Sequence, residues 1–232
     1  MSQEVSRFGK QLPAAVADEL RQRIMSGHLR PNAPLRTDAI ARDLGISVTP
    51  VREGLLMLRG QGFVRQLPRR GFVVAPLSAR DVVDVFGLQA DLAGELAARA
   101  VEFVTPEFVA QLEKIQSELD SALEAGDSAL IQQLNDEFHK TINTVSEASK
   151  LRWFLSSTVR YAPLSYFGEI EGWMKVTHRD HHDILDALRV GDAEAARIAM
   201  REHILGAGSL LVRHLEDAGM WSDEPKAGPG DR

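Results

Sequence analysis

The sequence predicts a mostly α chain in which a small N-terminal winged helix-turn-helix precedes an all-α antiparallel helical bundle. Three observations carry this expectation. Residues 1–76 hold 12 Lys+Arg against 6 Asp+Glu, whereas the whole 232-residue chain has a net charge of −6, so a cationic part leads into an acidic one. The short β-prone runs all lie before Pro76. From Ser78 onward apolar side chains recur at helical spacing with no further strand signal. The chain has no cysteine, which excludes a disulfide framework and a cysteine zinc site. With 44% hydrophobic and 26% charged residues it has the composition of an ordinary globular protein. No apolar run approaches the roughly 20 residues of a membrane span, and the polar start MSQEVSRFGK lacks the apolar stretch of a secretory signal. A cytoplasmic location is expected.

Each element has its own signal. Leu12, Val16, Leu20, Ile24 and Met25 form a stripe that predicts a first helix over residues 11–26, stopped by Gly27. Pro31 and Pro34 break the chain, after which Ala39, Ile40, Ala41 and Leu44 predict a short second helix ending at Gly45. Ser47 or Thr49 is suited to cap a third helix, with Pro50 in its first turn and its end near Gly60. Residues 62–67 and 71–74 are β-prone and flank Pro68-Arg69-Arg70, which reads as a hairpin with a basic tip. Two helices around a glycine turn followed by such a hairpin make a winged helix-turn-helix.

The remainder reads as six helices. The first starts at the capping-box-like Ser78-Ala79-Arg80-Asp81 and runs through Val82, Val85, Leu88, Leu92 and Leu96. Thr105-Pro106-Glu107 opens the second, with Phe108, Leu112, Ile115, Leu119 and Leu123 on one face before Gly126. The others are expected over about 127–146, 149–164, 174–190 and 193–217, with breaks at Pro163, Gly168, Gly172 and Gly191-Asp192. The tail from Ser222 contains two prolines, two glycines and no large apolar residue, a composition that predicts disorder. The expected organisation is a winged helix-turn-helix domain over 1–76, an all-helical domain over 77–220, and a disordered tail over 221–232.

In a helix-turn-helix the start of the second helix enters the major groove, which brings Ser47, Thr49 and Arg52 forward. Arg36 and Arg42 flank them as phosphate contacts. Arg69, Arg70 and Gly71 at the wing tip suit a minor groove. These residues belong to a stretch, Gly27 to Pro76, that closely resembles the DNA-binding domain of GntR-family bacterial transcription regulators. The resemblance rests on Gly27, Leu29, Pro31, Leu35, Ala41, Leu44, Gly45, Ser47, the run Thr49-Pro50-Val51-Arg52-Glu53, Leu55, Leu58, Gly62 and Arg70-Gly71. The family often has arginine where this chain has Val48, so one polar DNA contact is missing.

The acidic part contains Asn135, His139, His181 and His203. The first two are four residues apart, hence on one helix face. His181 lies 11 residues before Asp192 and His203 lies 11 after it, so an antiparallel hairpin turning at Gly191-Asp192 brings these two histidines level. Ile184, Leu185, Leu188, Ile198, Ala199 and Met200 mark their face as interior, where unpaired imidazoles are costly and a metal would satisfy them. Three imidazoles with one oxygen suit zinc and nickel foremost, with cobalt and manganese as alternatives. His28, His178, His182 and His214 read instead as surface or hydrogen-bonded residues, His182 pointing about 100° away from His181.

Residues 78–217 resemble the FadR-type C-terminal domain (FCD) of a large GntR subfamily, through Asn135-Asp136-Glu137-Phe138-His139, His181 with Ile184-Leu185-Asp186-Ala187-Leu188, then Gly191-Asp192, Ala196, Met200 and His203. The resemblance implies a bundle that binds a carboxylate effector and often a divalent metal, with the three histidines as ligands. The family's aspartate ligand falls on Asn135, with Asp136 the alternative oxygen. An effector-pairing arginine of the family falls on Gln89. Arg152, Arg160, Tyr161 and Tyr166 are nearby by sequence as further pocket residues.

The function expected is therefore a homodimeric, effector-controlled transcription regulator on a palindromic double-stranded DNA operator, not an enzyme. A metal-free dimerisation or partner-binding bundle is one alternative. A metal-dependent hydrolase is another, disfavoured because the chain has no His-Glu-x-x-His run and no obvious general base.

Overall fold

The computed structural model describes residues 2–159, Ile170 and 173–221. The chain divides into two compact units, one formed by residues 1–78 with 215–232 and the other by residues 79–214.

The first unit opens with α1, Ser2–Met25, which begins well before the stripe that predicted it. Gly27, with φ +74°, ends the turn that follows. After it come β1 (Pro34–Leu35), α2 (Thr37–Asp43), α3 (Val48–Gly60), β2 (Val64–Leu67) and β3 (Gly71–Val74). The three strands form an antiparallel sheet in the order β1-β3-β2. Sequence patterning did not reveal β1, because two residues beside a proline carry no period. Ser47 occupies the position before α3 in an extended conformation, but neither its side chain nor any other makes the expected capping bond there. Val16, Ala17 and Leu20 of α1 bury against Val51, Leu55 and Leu58 of α3. Gly54 permits this approach, since a Cβ there would lie 2.9 Å from the Pro13 carbonyl oxygen. Residues after α9 complete this unit: Trp221 Nε1 donates to Leu77 O at 2.7 Å and Met220 is buried.

The second unit is all helical among the described residues. It comprises α4 (Ala79–Ala100), a 3₁₀ turn over Val101–Phe103, α5 (Pro106–Ala125), α6 (Ser128–Val145), α7 (Ser149–Val159), α8 (Trp173–Val190) and most of α9 (Ala193–Asp217). The boundaries follow local chemistry. Thr105 Oγ1 accepts from Phe108 N at 3.2 Å, Asp127 Oδ1 from Leu130 N at 3.1 Å, and Asp192 Oδ1 from Ala195 N at 3.0 Å, each satisfying a free amide of the first turn. Two predicted stripes differ from the observed ones. Val82 and Leu96 are buried as expected, but Leu88 is 51% exposed, and Phe86, Gln89, Ala90 and Ala93 complete the buried face of α4; small alanines let the neighbouring helices come close, so the middle of the stripe is not marked by leucine. Ile198 is 47% exposed, while Ile184, Leu185, Leu188 and Met200 are interior as expected. The α4 and α9 backbones are tightly apposed, because a Cβ on Gly94 would sit 2.9 Å from the Arg197 carbonyl oxygen. The predicted breaks at Pro163, Gly168 and Gly172, and the predicted disordered tail from Ser222, lie outside the described residues. No helix among the described residues is long and apolar enough to cross a membrane.

Candidate functional site

Two regions gather the residues that the sequence singled out. In the first unit, an open groove is lined by Arg36, Arg42, Arg52, Arg65 and Arg70 together with Val48 and Gly71, and Asp38 is the single acidic residue among its lining residues. Ser47, Thr49 and Arg52 are all exposed at the start of α3. Their neighbour Val48, where arginine was expected, is 40% exposed. Arg65 escaped the sequence reading; it sits on β2 and donates to Asn32 Oδ1 at 2.8 Å. The wing turn is closed by Arg70 N donating to Leu67 O at 3.2 Å. This turn puts Arg69 at φ +60°, a left-handed conformation for a residue with a Cβ. Arg69 borders a separate depression with Arg59 rather than the arginine groove.

In the second unit, α6, α8 and α9 bring His139, His181 and His203 together, with one ring nitrogen from each lying within 4.8 Å of the others. His139 Nε2 and His203 Nε2 are 3.1 Å apart. His181 is fully buried, stacked on Phe138 with ring centroids 4.0 Å apart. Its Nδ1 faces Gln116 Oε1 at 2.8 Å, while its Nε2 has no hydrogen-bond partner. A carboxamide oxygen only accepts, so Nδ1 carries the proton and Nε2 keeps a free lone pair. Asp180 Oδ2 lies 3.5 Å from His203 Nδ1, close enough for electrostatic attraction but without a hydrogen bond, so His203 Nδ1 has no hydrogen-bond partner. Burial pushes the His139 imidazole down to about 3, with the neighbouring His203 adding to the effect. Burial, followed by the same histidine neighbours, also drives His181 well below its ordinary value. Burial pushes the Asp180 carboxyl up, but His203 and Arg179 outweigh it and the carboxyl titrates below the usual range.

A neutral imidazole is the form in which histidine binds metal, and His181 presents a free Nε2 lone pair from a ring oriented by the Gln116 carboxamide. Asn135 is 5% exposed and its Oδ1 is likewise without a hydrogen-bond partner. Asp136 is exposed and is not part of the histidine cluster, as its offset around the helix predicts. The donor set present thus fits a divalent ion.

His139, His203 and Asn135 form one wall of a cavity of about 440 Å³. Gln89 lines it, but its Nε2 is spent on Thr158 O at 2.9 Å. Arg152 and Lys140 also line it, and neither makes an ion pair among the described residues. Lys140 escaped the sequence reading, although it lies four residues after Asp136 and therefore on the same helix face. Gln116 was missed as well, and its signal was a polar residue inside the apolar stripe of α5. Arg160, Tyr161 and Tyr166 lie outside the described residues.

The chain matches two family models: "Bacterial regulatory proteins, gntR family" over residues 12–74 and "FCD domain" over residues 84–206. It is 30% identical to the HTH-type transcriptional regulator McbR of Escherichia coli K12, over 82% of this chain and 88% of that protein. It is 27% identical to the HTH-type transcriptional repressor RspR of the same organism, over 88% and 91% of the two chains. The solved structure of E. coli McbR/YncC superposes with a TM-score of 0.65 at 29% identity, covering 87% of this chain and 97% of that one.

Proposed function

Because the chain belongs to the gntR family of bacterial regulatory proteins, in the branch with an FCD domain, and is a DNA-binding transcription regulator, we propose that a small carboxylate effector controls its operator affinity. In this reading it acts in the cytoplasm as a homodimer: residues 1–76 read DNA, and residues 77–220 bind the effector and dimerise. A single short recognition helix reads few bases, whereas a two-fold dimer on a palindromic operator doubles the contacts and sets their spacing.

On DNA, Ser47, Thr49 and Arg52 face base edges, with Arg52 suited to guanine. Arg36, Arg42 and Arg65 neutralise phosphates, while Arg69, Arg70 and Gly71 carry the wing into the minor groove. In the bundle, Asn135, His139, His181 and His203 hold the divalent metal. When bound, the ion supplies a Lewis-acidic point for an effector oxygen. Gln116 fixes the ring orientation of His181, and the Asp180 carboxylate lies beside His203. Lys140 and Arg152 provide the positive charge for the effector's carboxylate that Gln89, a neutral amide with an engaged donor, does not.

The single observation that carries this reading is the cavity walled by His139, His203 and Asn135, with the buried His181 behind them, which is also lined by Lys140 and Arg152, neither of them ion-paired among the described residues. The effector regulates by binding one arrangement of the two heads more tightly than the other. A gel-shift assay on the protein's own promoter region, run with a panel of organic and sugar acids, tests it. One acid should change DNA affinity, and a Lys140→Ala/Arg152→Ala variant should still bind DNA but need about tenfold more acid. Indifference to that DNA at low salt would refute the reading. Metal content below about a tenth of an equivalent per chain, unrestored by added zinc or nickel, would favour a metal-free bundle. The hydrolase alternative falls with the family assignment, since the relatives are transcription regulators.

A further inference from the structure

His178 and His182 stand apart from the buried cluster. They are four residues apart on α8, so both project from one face, and their ring centroids are 4.7 Å apart. Asp120, on the neighbouring α5, comes between them. Its Oδ1 lies 3.4 Å from His178 Nε2 and its Oδ2 lies 3.9 Å from His182 Nε2. One donor atom from each of the three residues falls within 4.8 Å of the other two.

We propose that Asp120, His178 and His182 form a second divalent-metal site on the outer face of the bundle, one that takes an imidazole-preferring ion such as zinc or nickel. The separations decide between a metal site and a simple polar contact. At 3.4 and 3.9 Å the nitrogen–oxygen pairs are too long for good hydrogen bonds. The His178 separation matches the edge of a tetrahedron around an ion with bonds of about 2.0–2.1 Å, which is roughly 3.4 Å, and the exposed His182 ring has to close by about 0.5 Å to join it. Two imidazoles and one carboxylate suit zinc, nickel or cobalt, whereas magnesium and calcium prefer oxygen alone.

Access and support are both present. The two histidine side chains are 46% and 50% exposed and that of Asp120 is 32% exposed, so an ion enters from solvent and keeps water on its open positions. Gln116 Nε2 donates to Asp120 Oδ1 at 2.7 Å, orienting the carboxylate as a supporting residue does around a metal. The same carboxamide faces His181 Nδ1 through its oxygen. Gln116 thus stands between the outer and buried clusters, and an outer ion clamps α5 to α8, the two helices that carry Gln116 and His181.

The test is a zinc titration of the full, metal-stripped chain by calorimetry, repeated with nickel. The parent chain should bind two equivalents. A His178→Ala/His182→Ala variant should lose one of them or bind it at least about a hundredfold more weakly, since altering even a supporting residue costs 10–100-fold. Asp120→Asn should act in the same direction, and because all three residues are partly exposed, each variant should keep the parent's thermal unfolding profile. A His139→Ala/His203→Ala variant should retain the outer equivalent. If that variant does not fold, zinc-induced shifts of the His178 and His182 ring resonances in the parent chain provide the same readout. Equal zinc uptake and affinity in the parent and the His178→Ala/His182→Ala variant would overturn the proposal. A single equivalent lost only on changing His178 and His182 would uphold it while overturning the buried metal site.

Discussion

His139 and His181 are neutral in the folded protein because burial, reinforced by the neighbouring histidines, opposes their charging. In the unfolded chain they titrate near the ordinary value of about 6.5. Below that pH the unfolded state takes up protons that the folded state refuses, in the case of His139 until about 3. Stability of the metal-free protein must therefore fall as pH drops through this window and stay level above it. Urea unfolding midpoints of metal-stripped protein should be lower at pH 5.5 than at pH 7.5, and His139→Gln should flatten the difference. Identical midpoints at the two pH values would contradict the neutral state assigned to these rings. Much of this site was legible from residue spacing, since His181 and His203 meet across the Gly191-Asp192 turn as their equal separations from it require, and Asn135 and His139 share a face of α6 as their four-residue spacing requires. The roles of Gln116 and Asp180 were not, because each acts beside a histidine of another helix.

The wing turn shows how an element carries a local cost for an exposed charge. Pro68 pre-sets the backbone at the second position of the turn, and Arg69 at φ +60° occupies the third, where glycine is the comfortable residue. A left-handed conformation costs a residue with a Cβ about 1–2 kcal/mol. Arg69→Gly should raise the stability of the first unit by up to about 1 kcal/mol after the added flexibility of glycine is counted. The same change should weaken DNA binding, because a cation leaves the tip. Thermal unfolding and a gel shift on one preparation check both signs, and a lowered unfolding temperature would contradict the strain assigned to Arg69. The turn residues were plain in the sequence; the strand β1 that pairs with β3 was not, being two residues long.

At the scale of the molecule, charge is segregated: 12 basic and 6 acidic side chains in residues 1–76 within a chain of net −6. The acidic remainder discourages nonspecific contact with DNA, so attraction is confined to the arginine groove. Affinity should fall steeply with salt, with each phosphate contact adding about 0.9 to the slope of log affinity against log salt. In a dimer, Arg42→Ala should reduce that slope by about 2, one per head, while weakening all sequences alike. Arg52→Ala should cost about 1–3 kcal/mol per half-site and relax preference at one base pair. Fluorescence anisotropy across a salt series distinguishes the two, and an unchanged slope for Arg42→Ala would remove it from the phosphate contacts.

Most helix positions, the glycine turn before α3, the helix start at Thr105, the turn at Gly191-Asp192 and the basic wing were readable along the chain. Each depends on backbone propensity and hydrogen bonds made within a few residues, which a local pattern encodes completely. The buried stripe of α4, the pairing of Gln89 with Thr158, the placing of Lys140 and Arg152 in one cavity and the meeting of Asp120 with His178 and His182 emerge only from packing. They depend on the rotation and spacing of helices distant in sequence, and those are settled by side-chain volumes across the whole core.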